Sequence, residues 1–133
     1  MDTDQLIALA NEARGASYAP YSKFPVGAAV QSESGEVFTG CNVENASYGL
    51  TICAERVAVF KAVAAGHRQL VAAAIVTPSK AAPCGACRQV LAEFGPDMVI
   101  HIASPDGDRR SHTMAQLLPE SFGPADLKAW GER

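Results

Sequence analysis

With 133 residues, of which 48% are hydrophobic and 19% charged, the chain is long enough for one domain around one core and too apolar for a disordered polypeptide. Its formal net charge is -3, with no cluster of Lys or Arg. That argues against nucleic acid as a partner, because binding to a phosphate backbone rests on many cationic contacts. No apolar run approaches the length needed to span a bilayer, so no membrane partner is expected. Met1-Asp2-Thr3-Asp4 is acidic, unlike an export signal. The four cysteines therefore point to a reducing, cytoplasmic setting and to metal ligands or free thiols, not to a disulfide framework.

Leu6, Ile7, Ala10 and Ala13 recur on one helical face and predict a helix from Thr3 to Ser17. In Tyr18-Ala19-Pro20-Tyr21-Ser22-Lys23-Phe24-Pro25, two prolines then hold the chain out of helix and sheet interiors. Strands are predicted over Val26 to Gln31 and Glu36 to Thr39, joined by the hairpin turn Ser32-Glu33-Ser34-Gly35. The loop from Gly40 to Thr51 is dense in hydrogen-bonding side chains. Such a loop is usually solvated surface, but this one leads straight into the first cysteine cluster, which favours a substrate-facing role.

Cys53 to Ala65 reads as a helix apolar on nearly all sides and therefore buried, with Gly66 as a left-handed cap. Leu70 to Thr77 is an almost unbroken apolar run, expected of a strand covered on both faces. A third helix is predicted from Gly85 to Phe94 with Val90, Leu91 and Phe94 inward, stopped by Gly95-Pro96. Met98 to Ala103 is another strand, Pro105-Asp106-Gly107-Asp108 a turn, and Arg109 to Thr113 a polar edge strand. Met114 to Leu118 and Pro124 to Trp130 read as short helices. This order predicts a single α/β domain over residues 1–133, with helices on both sheet faces and a parallel crossover through the third helix.

Cys53 and Glu55 stand two apart where a loop becomes a helix, and Cys84 and Cys87 form a C-x-x-C pair at a second such junction. Thiolates at helix starts receive backbone N–H groups and the positive end of the dipole, which lowers their pKa. Three thiolates suit a Zn2+ that is closed on three sides and open on the fourth, where a water is acidified to a pKa of about 7. Glu55 beside that open position could shuttle the water's proton, a sharper role than that of a first-turn carboxylate. Three thiolates on one Zn2+ leave a net negative charge. Arg56 is the candidate to offset it by hydrogen-bonding a sulfur, against the plainer reading of a surface arginine.

Cys84 and Cys87 alone would read as a redox dithiol, but that leaves Cys53 and Glu55 unexplained. A structural zinc would prefer a fourth protein ligand. Cys41, His67, His101 and His112 lack ligand spacing, and Cys41 is expected to be a small buried residue at a strand end.

Cys-Ala-Glu followed by Pro-Cys-x-x-Cys is the pattern of zinc nucleobase deaminases in a three-cysteine form. Phe24-Pro25-Val26-Gly27-Ala28-Ala29, Gly40-Cys41-Asn42-Val43-Glu44-Asn45-Ala46-Ser47-Tyr48-Gly49 and Cys53-Ala54-Glu55-Arg56 resemble the small, homotetrameric cytidine deaminases, and the resemblance runs from about Tyr18 to Phe122. It implies a three-layer α/β/α sandwich with a five-stranded mixed sheet, and one Zn2+ per subunit. It also implies hydrolytic deamination of cytidine and deoxycytidine, small-molecule nucleosides, to uridine and deoxyuridine plus ammonia in pyrimidine salvage.

Carried over residue by residue, the resemblance has Phe24 stack on the pyrimidine and the Ala54 backbone fix the base. Asn42 and Glu44 would hydrogen-bond the ribose 3′-hydroxyl. Ala46 and Tyr48 would approach a neighbouring subunit's site, with Phe122 lent across an interface, so that a homotetramer shares its active sites. Three other readings remain. A related aminopyrimidine nucleoside is disfavoured by Asn42-Val43-Glu44-Asn45-Ala46, and a polynucleotide by the lack of basic insertions. A non-catalytic zinc or redox module leaves Glu55 and the polar loop without a use.

Overall fold

A computed structural model describes residues 1–131; the last two residues of the predicted 1–133 domain lie outside the described residues. The chain runs α1 (Thr3–Arg14), β1 (Gly27–Ser32), β2 (Val37–Cys41), a short 3-10 turn at Tyr48–Leu50, α2 (Ala54–Ala64), β3 (Leu70–Val76), α3 (Gly85–Phe94), β4 (Val99–Ala103), β5 (Arg109–Thr113), α4 (Met114–Leu117) and α5 (Pro124–Gly131). The sheet has five strands in the order β2-β1-β3-β4-β5. β3 and β4 are parallel, and the other neighbours are antiparallel. The mixed five-stranded sheet, the crossover through α3 and the polar edge strand β5 follow the sequence-based expectation.

Alternation along the strands divides the core into two layers. Leu6, Ile7 and Ala10 of α1 pack on Ala29, Ala74, Val76 and Ala103. On the opposite face Ala58, Val59 and Ala62 of α2 and Leu91 of α3 pack on Ala28, Val30, Ala73, Ile75, Ile100 and Ile102. Val90 and Phe94 pack against this second layer, half-buried. Because both faces are covered, β3 reads as apolar without a break.

The structure departs from the sequence reading at the edges of elements. The first helix stops at Arg14, not Ser17; its capping box joins Asp2 and Gln5 at the other end, and Gly15 closes it. The second helix buries one face only. Ala54, Glu55, Ala58, Val59 and Ala62 are inside, whereas Phe60 is 48% exposed and Lys61 donates a hydrogen bond to the Thr39 carbonyl. The expectation of an all-round buried helix fails because α2 meets the sheet and α3, but nothing among the described residues covers its outer side. Cys41, expected to be buried, is half-buried at the end of β2.

Small residues set how closely the layers approach. A Cβ at Gly40 would stand 2.6 Å from the Ala58 backbone nitrogen and 2.7 Å from the Ala54 carbonyl oxygen. Those partners belong to the helix backbone and cannot rotate away, so Gly40 fixes the height of α2 over β2. Gly40→Ala is expected to cost roughly 1–3 kcal/mol in urea unfolding. Gly123→Ala, with nothing within 4 Å of the added Cβ, should stay within about 0.5 kcal/mol. Equal midpoints for the two variants would contradict the close approach.

Candidate active site

Two helix starts converge at one end of the sheet. Cys53 is the N-cap of α2 and Cys84 the N-cap of α3, where its sulfur accepts from the Cys87 backbone N–H at 3.4 Å. The Cys53 and Cys84 sulfurs are 3.9 Å apart, those of Cys84 and Cys87 are 3.3 Å apart, and all three lie within 4.8 Å of one another. Thiolates arranged tetrahedrally about a zinc ion at about 2.3 Å stand about 3.8 Å from each other. The donor set and its spacing therefore fit Zn2+ with three protein ligands.

Electrostatics gives the same answer. Three crowded sulfurs cannot all ionise without a cation among them. Cys53 falls to about 5, first because it accepts a hydrogen bond from Cys87 and also because the Arg56 guanidinium stands beside it. Cys87 is correspondingly pushed up, its proton held by the Cys53 sulfur and its charged form penalised by burial and by Glu55. A metal ion displaces such protons when it binds. Arg56 Nη2 donates to the Cys53 sulfur at 3.4 Å, as the sequence suggested, and its Nε is buried with no hydrogen-bond partner among the described residues.

Glu55 is only 5% exposed, in the first turn of α2. Burial pushes its carboxyl up to about 7, and the nearby Cys53 charge adds to the effect. A buried carboxyl poised near neutrality is suited to taking and returning a proton.

The cavity in front of this cluster has a volume of about 390 Å3, within the range of small-molecule sites. Cys53, Cys84 and Glu55 lie on one side; Phe24, Asn42 and Glu44 lie on the other. Ala54, Val26, Ile75 and Thr77 also line it. A neighbouring depression lined by Tyr21, Ser22, Glu44, Tyr48 and Thr51 continues it outward. A larger groove of about 530 Å3 between α3, α4 and the segment entering α5, which Phe122 lines, contains no cluster of ligating side chains among the described residues.

The structure thus gathers Phe24, Asn42, Glu44, Cys53, Ala54, Glu55 and Cys84 around one cavity, with Cys87 and Arg56 behind it. Ala46, Tyr48 and Phe122 do not line that cavity within their own chain, and all three are exposed. Asn42 is more occupied than its expected sugar contact suggests. Its Oδ1 accepts from the Val26 N–H at 3.0 Å and from the Ser17 hydroxyl, and its Nδ2 donates to the Phe24 carbonyl at 2.9 Å.

Three contributors escaped sequence reasoning. Thr77 lines the cavity, and its hydroxyl accepts from the Ala81 N–H at 2.7 Å. Arg88 donates to the Pro83 carbonyl at 2.9 Å and to the Leu117 carbonyl at 2.8 Å, which ties the Cys84 turn to α4. Ser22 holds Glu44. Only the position of Arg88, directly after a ligand cysteine, gave a sequence signal. Ser22 acts through a partner distant along the chain, and Thr77 sits in a local turn that carries no motif.

Comparison with known proteins agrees with this geometry. Residues 1–103 match the family described as the cytidine and deoxycytidylate deaminase zinc-binding region. A cytidine deaminase of Sporosarcina psychrophila is 48% identical over 136 aligned positions, covering 100% of both chains. One from Mycobacterium tuberculosis is 45% identical, covering 96% of this chain and 94% of its own. The crystal structure of cytidine deaminase from Burkholderia pseudomallei superimposes with a TM-score of 0.88 at 50% identity, covering 92% of this chain and 100% of its own. With three clustered cysteines, the buried glutamate and the sheet order all in place, the chain belongs to the cytidine and deoxycytidylate deaminase family.

Proposed function

We propose that this protein hydrolytically deaminates cytidine and deoxycytidine to uridine and deoxyuridine, releasing ammonia, as a step in pyrimidine salvage. The observation that carries the reading is a buried glutamate beside three convergent cysteine sulfurs at the wall of a cavity faced by an aromatic ring. Zinc held by Cys53, Cys84 and Cys87 would supply an acidified water at its open position, with a pKa of about 7. Glu55 takes the water's proton at a carboxylate oxygen and delivers it to ring N3 of the pyrimidine; it then takes the proton of the hydroxyl added at C4 and passes it to the 4-amino nitrogen, which departs as ammonia. Its burial keeps bulk water from competing for that proton. Arg56 offsets the negative charge of the sulfurs, and its hydrogen bond steadies Cys53.

Phe24 stacks against the base, and the Ala54 backbone fixes the edge of the ring. Glu44 receives the sugar hydroxyl. Asn42 serves the same wall by holding the Phe24 carbonyl and the Val26 N–H.

A nucleoside suits the cavity better than a nucleotide. Among the described residues that line it there is no Lys, Arg or His, and Glu44 sets an anion at the sugar end. Hydrogen bonds from Ser22 and Tyr21 hold the Glu44 carboxyl below its usual range. A phosphate would meet repulsion there without a compensating cation.

Tyr48 (74% exposed), Leu50 (65%), Phe60 (48%) and Phe122 (59%) leave sizeable apolar area uncovered. Where such residues form one patch, a partner ordinarily covers it. A homotetramer in which Ala46, Tyr48 and Phe122 complete a neighbour's site would cover it.

Purified protein given cytidine should show zinc-dependent loss of the cytidine absorbance band, with far slower loss for free cytosine and for deoxycytidine monophosphate. Glu55→Gln should keep its zinc and lose at least a hundredfold in kcat, the lower end expected for general acid–base catalysis. Normal turnover in that variant would remove the proton-shuttle role. Sedimentation should find a tetramer, and a fully active monomer would contradict the shared sites.

A further inference from the structure

The loop that presents Phe24 is held by a carboxylate 20 or more residues further along the chain. Glu44 Oε1 accepts from the backbone N–H groups of Tyr21 at 3.0 Å and Ser22 at 3.1 Å. Glu44 Oε2 accepts from the Ser22 hydroxyl, and that hydroxyl in turn accepts from the Phe24 N–H at 3.1 Å. Lys23 between them is in the left-handed region at φ 57, and its N–H closes a turn onto the Ala19 carbonyl at 3.0 Å. A lysine adopts that backbone only where its surroundings impose it.

A carboxylate offers about four acceptor positions, two on each oxygen. Here the loop fills both on Oε1 and one on Oε2, which leaves a single position on Oε2. Ser22 has one proton to donate, and it is spent on that same oxygen. Both Glu44 and Ser22 line the cavity and its outward continuation.

We infer that Ser22 is a positioning residue for sugar recognition. Its hydroxyl fixes the rotation of the Glu44 carboxylate so that the last acceptor position on Oε2 meets a nucleoside hydroxyl. The inference rests on the reading of the cavity as a nucleoside site in which Glu44 receives the 3′-hydroxyl.

The test compares zinc-loaded wild type, Ser22→Ala and Ser22→Thr on cytidine and on 3′-deoxycytidine. Wild type should prefer cytidine by roughly tenfold or more in kcat/KM, the value of a hydrogen bond to a charged acceptor. Ser22→Ala should raise the KM for cytidine roughly tenfold with kcat within about twofold. Its KM for 3′-deoxycytidine should change far less, so that discrimination collapses toward one. Ser22→Thr, which keeps the hydroxyl, should restore it. Zinc content should match wild type in both variants, and Ser22→Ala should lose little Tm, since the two hydrogen bonds it gives up are exposed.

If wild type discriminates and Ser22→Ala discriminates equally, or if both substrates weaken in parallel, the positioning role is overturned while the nucleoside reading stands. If wild type deaminates cytidine but ignores the 3′-hydroxyl, the sugar contact of Glu44 fails and the inference falls with it. If wild type leaves cytidine unchanged, the proposed function fails first.

Discussion

Three cysteine sulfurs packed within 4.8 Å of one another, at the ends of two helices, create a demand for positive charge that the protein alone meets only in part. Cys53 carries charge at the expense of Cys87, which must keep its proton, and Arg56 answers from one side. The rest of the molecule is arranged to hold that unfavourable gathering in place. Gly40 lets α2 lie close on β2, which fixes where Cys53 and Glu55 emerge. The β3–α3–β4 crossover brings Cys84 and Cys87 to the same end of the sheet, and Arg88 braces their turn against α4.

The opposite wall is built on a different principle. It is built from the loop segments that flank β1 and β2, and side-chain hydrogen bonds extend the backbone ladder there. Asn42 joins Ser17, Phe24 and Val26, while Glu44 joins Tyr21 and Ser22. Two isolated bridges, Tyr18 with Val43 and Val43 with Ile52, stitch this loop to the start of α2. The cavity therefore has one wall defined by helix ends and sulfur, and one defined by a polar clasp. That division suits a reaction in which chemistry occurs on one face of a ring and recognition of the sugar occurs beyond it.

The elements and the metal cluster were legible because they are carried by short-range patterns. The spacing of Leu6, Ile7 and Ala10 gave α1, and Gly95-Pro96 gave the end of α3. Two cysteine motifs at helix starts gave three ligands and a carboxylate. What escaped was set by contacts between residues far apart in sequence. Nothing in Cys53 to Ala65 says which side of α2 the sheet will cover, so Phe60 was placed inside and proves half-exposed. Asn42, expected at the sugar, does line the cavity, but its bonds to Ser17, Phe24 and Val26 had no signal in the sequence. Ser22 offered no periodicity or motif of its own, and its meaning appears only when Glu44 folds back onto it.

The account stands on a zinc ion with three cysteine ligands and one open position beside Glu55. Zinc-edge X-ray absorption on the purified, zinc-loaded protein reads that directly. It should report three sulfur scatterers at about 2.3 Å and one oxygen or nitrogen scatterer at about 2.0 Å. Four sulfurs, with Cys41 drawn in as the last ligand, would describe a closed structural site and contradict the account.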